Sequence, residues 1–214
     1  MRTVALIPVK FINRRLPGKN TKLLGGKPLM AYIQETLLQV KGLDEIYIYC
    51  SDERVKEYIL GGVRFLKRSP DLDRDTTKIN EVLVSFANEV DADYYLLAHA
   101  TAPFLRAESV QRGLDGVKSG QYDSAFSAEK LQEFLWQNGR PLNYDLAAIP
   151  RTQDLVPVYS ETCGFYLYSR ELILQSNRRI GERPMFVEVD KFEAVDIDGA
   201  DDFLMAEAVL RAKG

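Results

Sequence analysis

A short apolar segment that leads into a basic loop constrains this chain more than any other feature. Residues 3–7, TVALI, have the composition of a buried strand, and the following loop carries Lys10, Arg14, Arg15 and Lys19. An LLGGKPL turn then leads into a helical pattern over residues 29–40. Cationic side chains and backbone N–H groups beyond the carboxyl end of such a strand form phosphate sites in α/β proteins. The loop therefore points to a nucleotide, with a merely solvated loop as the alternative.

Two common phosphate motifs are absent from this loop. A P-loop, G-x-x-x-x-G-K-[ST], would need glycine at Asn13 and serine or threonine at Asn20. The dinucleotide motif G-x-G-x-x-G does not occur either. The sequence therefore supports neither a P-loop nor a dinucleotide site.

Composition limits the partners of the chain. A chain of 214 residues suffices for one α/β domain with a modest insertion, and it buries about 70% of its unfolded surface. Its net charge of −3 lacks the basic excess of a nucleic-acid-binding protein, so we expect a small anionic ligand and no nucleic acid. No segment approaches the roughly 18 apolar residues of a membrane span. We therefore expect a cytoplasmic protein without membrane contact and with reduced thiols.

Apolar runs alternate with helical periodicity, as expected for βα units around a mostly parallel sheet. Residues 130–159 interrupt this pattern with the only tryptophan, several prolines and an N-G pair, and they are predicted to form a hairpin or arm. The predicted strands cover residues 4–8, 45–51, 63–67, 94–98, 123–128, 164–168 and 184–190, and the predicted helices cover residues 29–40, 52–60, 78–90, 107–119 and 200–211, with a short helix from residue 170.

A second motif, VDIDGADD, lies near the end of the sequence. If this segment is an extended strand, Asp196 and Asp198 share one face and Ile197 points to the other. Magnesium prefers one or two carboxylates together with phosphate oxygens and water, so the pair suits a metal beside a nucleotide. Capping chemistry is the alternative, and it is the role expected of Asp201 and Asp202, because negative charge stabilises a helix start.

Six segments, in this order, resemble the acylneuraminate cytidylyltransferases, which make CMP-activated nine-carbon 2-keto acids such as CMP-sialic acid. They are IPVKFINRRLPGKN, LLGGKPLMAY, YIYCSDERV, FLKRSPDLDRDTTKINEVL, ATAPFLR and VDIDGADDFLMAE. The resemblance implies a three-layer Rossmann-like α/β nucleotidyltransferase fold with a mixed, mostly parallel sheet, as one domain over residues 1–214. It further implies that a hydroxyl of a small acidic acceptor attacks the α-phosphorus of CTP. Residues 130–159 would be the dimerisation arm of a homodimer.

The resemblance also implies roles for individual residues. Lys10 stands where the family has the arginine of P-A-R, and both Lys10 and Arg14 would act in catalysis by holding phosphates. Asp196 and Asp198 match the family's I-D-I-D ligands and would hold Mg²⁺, with Asp198 counted among the catalytic residues. The other expected nucleotide-binding residues are Asn13, Lys19, Asn20, Arg68, Thr76 and Thr77, and the expected acceptor-binding residues are His99, Thr101 and Arg151.

Two of these assignments have structural alternatives. Arg68 matches the arginine of an L-R-P stretch that reaches the base or sugar, but a structural ion pair would equally explain it. His99 is the only histidine, and it would contact the acceptor or assist proton removal from the attacking hydroxyl. Packing or ordinary hydrogen bonding is the alternative for His99.

Several departures from the family leave the acceptor open. Lysine at position 10 cannot reproduce the bidentate grip of arginine on phosphate, and SET, residues 160–162, replaces a common arginine. A legionaminate-like or pseudaminate-like acid, a non-sugar acid or phosphonate, and a nucleotide-binding protein without turnover all remain alternatives. The related enzyme for the eight-carbon acid 3-deoxy-manno-octulosonate shares R-L-P-G-K. However, residues 98–103 lack the aspartate with which that relative binds metal.

Overall fold

In the computed structural model, which describes residues 1–213, strands and helices alternate along most of the chain. None of the helices in this part of the chain is both long enough and apolar enough to cross a bilayer. The elements are β1 (Thr3–Pro8), β2 (Leu23–Leu24), β3 (Lys27–Pro28), α1 (Leu29–Gln39), β4 (Glu45–Cys50), β5 (Arg64–Lys67), α2 (Ile79–Glu89), β6 (Tyr94–Ala98), α3 (Ala107–Lys118), β7 (Ser124–Leu131), β8 (Trp136–Gln137), β9 (Arg140–Pro141), β10 (Val158–Ser169), α4 (Arg170–Ser176), β11 (Pro184–Val189) and α5 (Ala200–Lys213).

The core is a seven-stranded sheet in the order β11, β7, β10, β6, β1, β4, β5. Strand β10 runs antiparallel to its neighbours β6 and β7, and the other neighbouring strands are parallel. Helices α1 and α3 pack on one face, and α2 and α4 pack on the other. The predicted three-layer architecture with a mixed, mostly parallel sheet is therefore confirmed.

Strand β1 occupies the middle of the sheet because both of its faces are apolar. Val4 and Leu6 are fully buried on the face that α2 covers, and Ala5 and Ile7 are fully buried on the face that α1 and α3 cover. A parallel strand with helices on both sides is a continuous apolar run, which is the pattern of TVALI. The sequence of β1 therefore fixes where the basic loop leaves the sheet.

The order of the strands places a crevice beside β1. After β1 the chain proceeds through α1 to β4 and β5 on one side, and it returns through α2 to β6 on the other side. In open α/β sheets, ligands bind where the strand order reverses, beyond the carboxyl ends of the strands. The loop after β1 and the residues after β6 flank this position.

One predicted element is wrong, and one condition considered for the sequence is not met. Residues 52–60 do not form an α-helix; the 3₁₀ helix Glu53–Tyr58 begins after Asp52, whose Oδ1 accepts a hydrogen bond from the Arg54 N–H at 3.0 Å. Val55 is the one buried residue of this segment, which is too little apolar surface for an amphipathic helix. The D-x-D segment, residues 196–198, is not a strand either, and it runs as irregular backbone before α5.

Residues 130–159 contain the tail of β7, a small hairpin and an irregular return to β10. The hairpin joins β8 to β9 through Asn138 and Gly139, both with positive φ, as a two-residue N-G turn requires. Several large apolar side chains here are exposed, including Trp136 at 56% and Ile149 at 63%. Exposed apolar surface of this kind marks interaction sites, although the dimerisation arm itself stays a prediction.

Phe86 of α2 tests the packing of the α2 layer. Its ring is fully buried and meets Tyr47, Tyr49 and Tyr95 edge-on, with centroids 5.3 to 5.8 Å apart. We predict that Phe86→Ala lowers the free energy of unfolding by about 3–5 kcal/mol, measured by urea denaturation. Phe134→Ala, in the exposed hairpin region, is the control and should cost about 1 kcal/mol or less. Equal losses for the two variants would contradict this description of the core.

Candidate active site

Lys19 joins the basic loop to the D-x-D segment. Its side chain is buried, and its ammonium donates to the Ile197 carbonyl oxygen at 2.6 Å and to Asp198 Oδ1 at 3.1 Å. Arg15 Nη1 donates to the other carboxylate oxygen of Asp198 at 2.8 Å. A buried ammonium requires such partners, because desolvation without them is costly. The two motifs from opposite ends of the sequence therefore form one cluster.

Ile197 fixes the position of the two aspartates. It is fully buried in a small cluster with Leu24, Leu29 and Phe203, and its N–H donates to the Thr101 carbonyl oxygen at 2.9 Å. This hydrogen bond attaches the D-x-D segment to the loop after β6. Ile197 is thus buried between two polar residues, although the segment does not form a strand.

Asp202 caps the start of α5, as predicted. Its Oδ2 accepts hydrogen bonds from the N–H groups of Asp198 at 2.9 Å and Gly199 at 2.7 Å. These bonds satisfy backbone donors that a helix start leaves unpaired. The cap also holds the backbone of Asp198 in place.

The two D-x-D carboxylates have different environments. Burial raises the pKa of Asp196, opposed by a hydrogen bond from Thr101. Burial also acts to raise the pKa of Asp198, but Lys19 and Arg15 outweigh it and hold that pKa below its usual range. Asp198 is therefore ionised at neutral pH.

The carboxylate pair fits a magnesium ion. Asp196 Oδ1 is buried and has no hydrogen-bond partner within residues 1–213. No cluster of three His, Cys, Asp or Glu side chains suited to a metal occurs in the same part of the chain. Magnesium needs only one or two carboxylates when phosphate and water complete its six ligands. The donor set is thus one that a nucleotide would complete.

The first half of the basic loop lines a cavity of about 530 Å³ together with residues 51–52 and 73–76. Lys10 Nζ lies 3.3 Å from Asp75 Oδ1, and Arg14 Nη2 lies 2.6 Å from Asp75 Oδ2. Thr76 lines the same cavity. The cavity therefore combines two cations with the polar 75–77 segment.

Asn20 supports the loop from within, and Asn13 lies in the same loop. Asn20 is buried, and its Nδ2 donates to the Lys10 carbonyl oxygen at 2.9 Å. Asn13 Oδ1 is buried without a hydrogen-bond partner in the described residues. Asn20 thus positions the backbone that carries Lys10, and Asn13 keeps an unused acceptor at the site.

Arg68 and Thr77 are not among the residues that line this cavity. Arg68 is buried, and its Nε lies 3.2 Å from Asp73 Oδ1, which is the structural ion pair foreseen as an alternative. The Thr77 N–H donates to the Arg74 carbonyl oxygen at 3.2 Å, so its backbone closes the turn that presents Thr76. Their contact with a nucleotide stays a prediction.

His99 lies at the carboxyl end of β6, beside the D-x-D cluster. Its Nε2 is buried and lacks a hydrogen-bond partner within residues 1–213, and its ring centroid is 6.4 Å from that of Tyr166. Burial lowers the pKa of His99 to about 4, assisted by the charges of Arg179 and Lys19. The imidazole is therefore neutral at pH 7.

Arg151 is not part of this cluster within one chain. It is exposed on the arm, where its guanidinium pairs with Asp154 at 2.7 Å. Its nearest described partner belongs to its own 3₁₀ turn, Thr152–Asp154. An acceptor contact by Arg151 stays a prediction.

Sequence reasoning missed three contributors to the site. Arg15 was noted only as one of the basic residues, yet it holds Asp198. Asp73 neutralises Arg68, and Arg179 acts on His99 from the segment after α4. The segment SPDLD, residues 69–73, contains a local signal for Asp73, because a nearby acid is the usual partner of a buried arginine such as Arg68. The contact of Arg179 with the site depends on the tertiary fold and left no signal in the sequence.

Comparison with known proteins identifies the family of the chain. Residues 4–202 match the sequence model of the family described as cytidylyltransferase, so the chain belongs to the cytidylyltransferase family, whose members are nucleotidyltransferases. Its fold is the Rossmann-like nucleotidyltransferase fold. The predicted family resemblance and the predicted enzyme class are thereby confirmed.

Individual relatives are more distant. The N-acylneuraminate cytidylyltransferase A of Danio rerio is 26% identical over 213 residues, which cover 95% of this chain and 49% of the relative. The chain thus spans about half the length of that relative. The CMP-N,N'-diacetyllegionaminic acid synthase of Legionella pneumophila is 26% identical over 98% of this chain and 97% of the relative. A solved CMP:2-keto-3-deoxy-manno-octonic acid synthetase in complex with CTP superposes with a TM-score of 0.75 at 19% identity, covering both chains fully.

The single histidine allows a direct test of the electrostatics. We predict that the His99 imidazole titrates near pH 4 by NMR, below its usual 6.5, because burial and nearby cations disfavour its charged form. The unfolded chain therefore takes up this proton first as the pH falls. The stabilisation is complete above about pH 6.5 and decreases towards pH 4, by about 3 kcal/mol in total.

His99→Gln is the matching variant, because it removes the titration and keeps a polar side chain. Its free energy of unfolding should depend less on pH between about 6.5 and 4 than that of the wild type. A wild-type histidine that titrates near 6.5 would contradict the buried environment described here.

Proposed function

We propose that this protein transfers CMP from CTP to a hydroxyl of a sialic-acid-like nine-carbon 2-keto sugar acid and releases pyrophosphate. The observation that carries the proposal is the convergence of the basic loop and the D-x-D carboxylates beside β1, in a chain of the cytidylyltransferase family. Relatives named for N-acylneuraminate and for N,N'-diacetyllegionaminic acid support a nine-carbon acceptor.

Lys10 and Arg14 are proposed to hold the triphosphate. Both side chains line the cavity, and both pair with the single carboxylate of Asp75. Phosphate oxygens would compete with Asp75 for these cations. Because Lys10 and Arg14 already lie together in the cavity, the loop would not need to bring them together when the nucleotide binds. Preorganised cations of this kind stabilise the charge that moves onto the leaving pyrophosphate.

Asp196 and Asp198 are proposed to hold Mg²⁺. When bound, the ion would neutralise charge on the phosphate oxygens. Lys19 and Arg15 keep Asp198 ionised and oriented. The Oδ1 oxygen of Asp196 is buried and has no hydrogen-bond partner among residues 1–213.

In the proposed reaction, the acceptor oxygen bonds to the α-phosphorus while the bond from that phosphorus to the bridging oxygen of the β-phosphate breaks. The hydroxyl proton must leave during this exchange, and it passes to water. A neutral His99 with a pKa of about 4 accepts hydrogen bonds well but is a weak base. Its environment therefore favours the role of orienting the hydroxyl, which suits in-line positioning.

The second candidate acceptor is the eight-carbon acid 3-deoxy-manno-octulosonate. The structural similarity to the synthetase for that acid favours it. The segment His99 to Pro103 after β6 has no acidic residue, however, and the resemblance implies a metal-binding aspartate there. This candidate is therefore ranked second.

We further propose a cytoplasmic homodimer in which residues 130–159 reach the acceptor site of the neighbouring subunit. The exposed apolar side chains of this stretch and the exposed Arg151 support that arrangement. Both cysteines are free, as expected in a reducing compartment.

A pyrophosphate-release assay tests the reaction. CTP with Mg²⁺ should be supplied together with N-acetylneuraminate, N,N'-diacetyllegionaminate or 3-deoxy-manno-octulosonate, and each acid should also be tried with UTP, GTP and ATP. We predict release that depends on CTP and is fastest with a nine-carbon acid. Preference for another nucleotide would reject the donor, and no release with any pair would reject the proposed reaction.

Asp198→Asn tests the metal role. We predict that it lowers magnesium-dependent product formation at least about a hundredfold, because it removes a preorganised charge from the reacting phosphates. Asp201→Asn is the matched control, since Asp201 is exposed three residues further on. That control should keep its activity within about twofold and lose only a few tenths of a kcal/mol in stability. Full activity in folded Asp198→Asn would exclude Asp198 as a metal ligand.

A further inference from the structure

A second cavity, of about 580 Å³, lies between the start of α2 and the segment that follows α4. The polar side chains that line it are Lys78, Asn80, Glu81, Asn177, Arg178 and Arg179. Neither the family resemblance nor the proposed reaction assigns a role to these residues.

This cavity lies at the same edge of the sheet as the candidate active site. Helix α2 precedes β6, so its first turn lies at the carboxyl ends of the parallel strands. Thr76 lines the nucleotide cavity, and Lys78 lines the second cavity. The two Cα atoms are at most about 7 Å apart, because each residue extends the chain by at most about 3.6 Å. The two cavities are therefore neighbours.

Arg179 connects the second cavity to His99. Its guanidinium lies 3.9 Å from the centroid of the Tyr166 ring, and that ring lies 6.4 Å from the ring of His99. The charge of Arg179 also helps to lower the pKa of His99. A group bound to Arg179 would thus be separated by the Tyr166 ring from the imidazole that is proposed to contact the acceptor.

The donors of Arg179 are largely unused. Within residues 1–213, its guanidinium pairs with Glu161 at 3.8 Å and donates no hydrogen bond, although it has five N–H groups. Glu161 Oε2 is already the acceptor for the Tyr166 hydroxyl at 2.6 Å. The Tyr166 ring and this carboxylate hold the guanidinium in place, and its N–H groups remain able to bind a ligand.

Lys78 adds a second cation without an acidic partner among the described residues. The one acid in the lining, Glu81, accepts a hydrogen bond from the Lys78 backbone N–H at 2.8 Å. Arg178 is different, because it pairs with Glu182 and donates to the Gly181 carbonyl oxygen at 3.1 Å. The cavity therefore offers an anion two cations, the unpaired ammonium of Lys78 and the unused N–H groups of Arg179, whose one ion pair in the described residues is the 3.8 Å contact with Glu161.

We propose that Arg179 and Lys78 bind the acidic group of the acceptor and so determine specificity for an anionic acceptor, such as a carboxylic acid. This inference rests on the proposed cytidylyl transfer and deepens it. The planar guanidinium matches a carboxylate through two parallel hydrogen bonds. An acceptor bound there could extend past the Tyr166 ring towards His99, and Arg179 would take the role that Arg151 cannot fill within one chain.

Steady-state kinetics with CTP, Mg²⁺ and N-acetylneuraminate test the proposal. Arg179→Gln should raise the KM for the acid about tenfold to a hundredfold, as expected for loss of a charge-assisted hydrogen bond, and leave the KM for CTP within about twofold. Lys78→Gln should give a smaller rise, and it carries little risk to folding because Lys78 is exposed. Arg183→Gln is the matched control, since Arg183 is exposed and lies outside the cavity lining. Its constants should not change.

An unchanged KM for the acid in both Arg179→Gln and Lys78→Gln would overturn the proposal. A rise in the KM for CTP alone would also overturn it, because the cavity would then serve the nucleotide. A binding measurement separates this result from failure of the reaction. N-acetylneuraminate should shift the NMR signals of His99 in the wild type and not in Arg179→Gln, and a wild type without a shift would reject the acceptor site even if CTP binds.

Discussion

The buried ammonium of Lys19 is the contact on which the rest of the site depends. It bonds to the Ile197 carbonyl oxygen and to the Asp198 carboxylate, 179 positions further along the chain. Removing one partner of a buried ion pair leaves an uncompensated charge, which is strongly unfavourable. The basic loop and the D-x-D segment are therefore held together before any ligand arrives, at the place where the strand order reverses around β1.

The site organises its charge in pairs. Asp75 holds Lys10 and Arg14 at one end of the basic loop, and Asp198 holds Arg15 and Lys19 at the other. Each carboxylate reduces the repulsion between its two cations. Four cations can therefore lie close together in the loop. The segment from Thr76 to Lys78 then links the nucleotide cavity to the cavity around Arg179. A donor and an acidic acceptor would thus meet between two regions of positive charge.

The sequence predicted the fold well where one local signal dominated. The apolar run of β1, the alternation of βα units and the N-G pair of the hairpin each require one structure, and each is observed. The α-helix predicted for residues 52–60 is wrong. Their polar pattern resembles that of a helix, but Val55 is the one buried apolar residue of the 3₁₀ helix that forms instead. The spacing of Asp196 and Asp198 correctly predicted that Ile197 is buried between two polar residues. It did not predict that the backbone of this segment is irregular. The contact of Arg179 with Tyr166 and Glu161 depends on how distant segments meet, and the local sequence does not encode it.

Thermal unfolding of the wild type with CTP, UTP, GTP and ATP, each with and without Mg²⁺, tests the central claim that both ends of the chain build one magnesium–cytidine triphosphate site. A ligand at about 100 times its Kd stabilises the native state by about 2.7 kcal/mol. We predict that CTP with Mg²⁺ raises Tm the most and that much of this gain disappears without the metal. Equal shifts for all four nucleotides, or a CTP shift that does not depend on Mg²⁺, would contradict it.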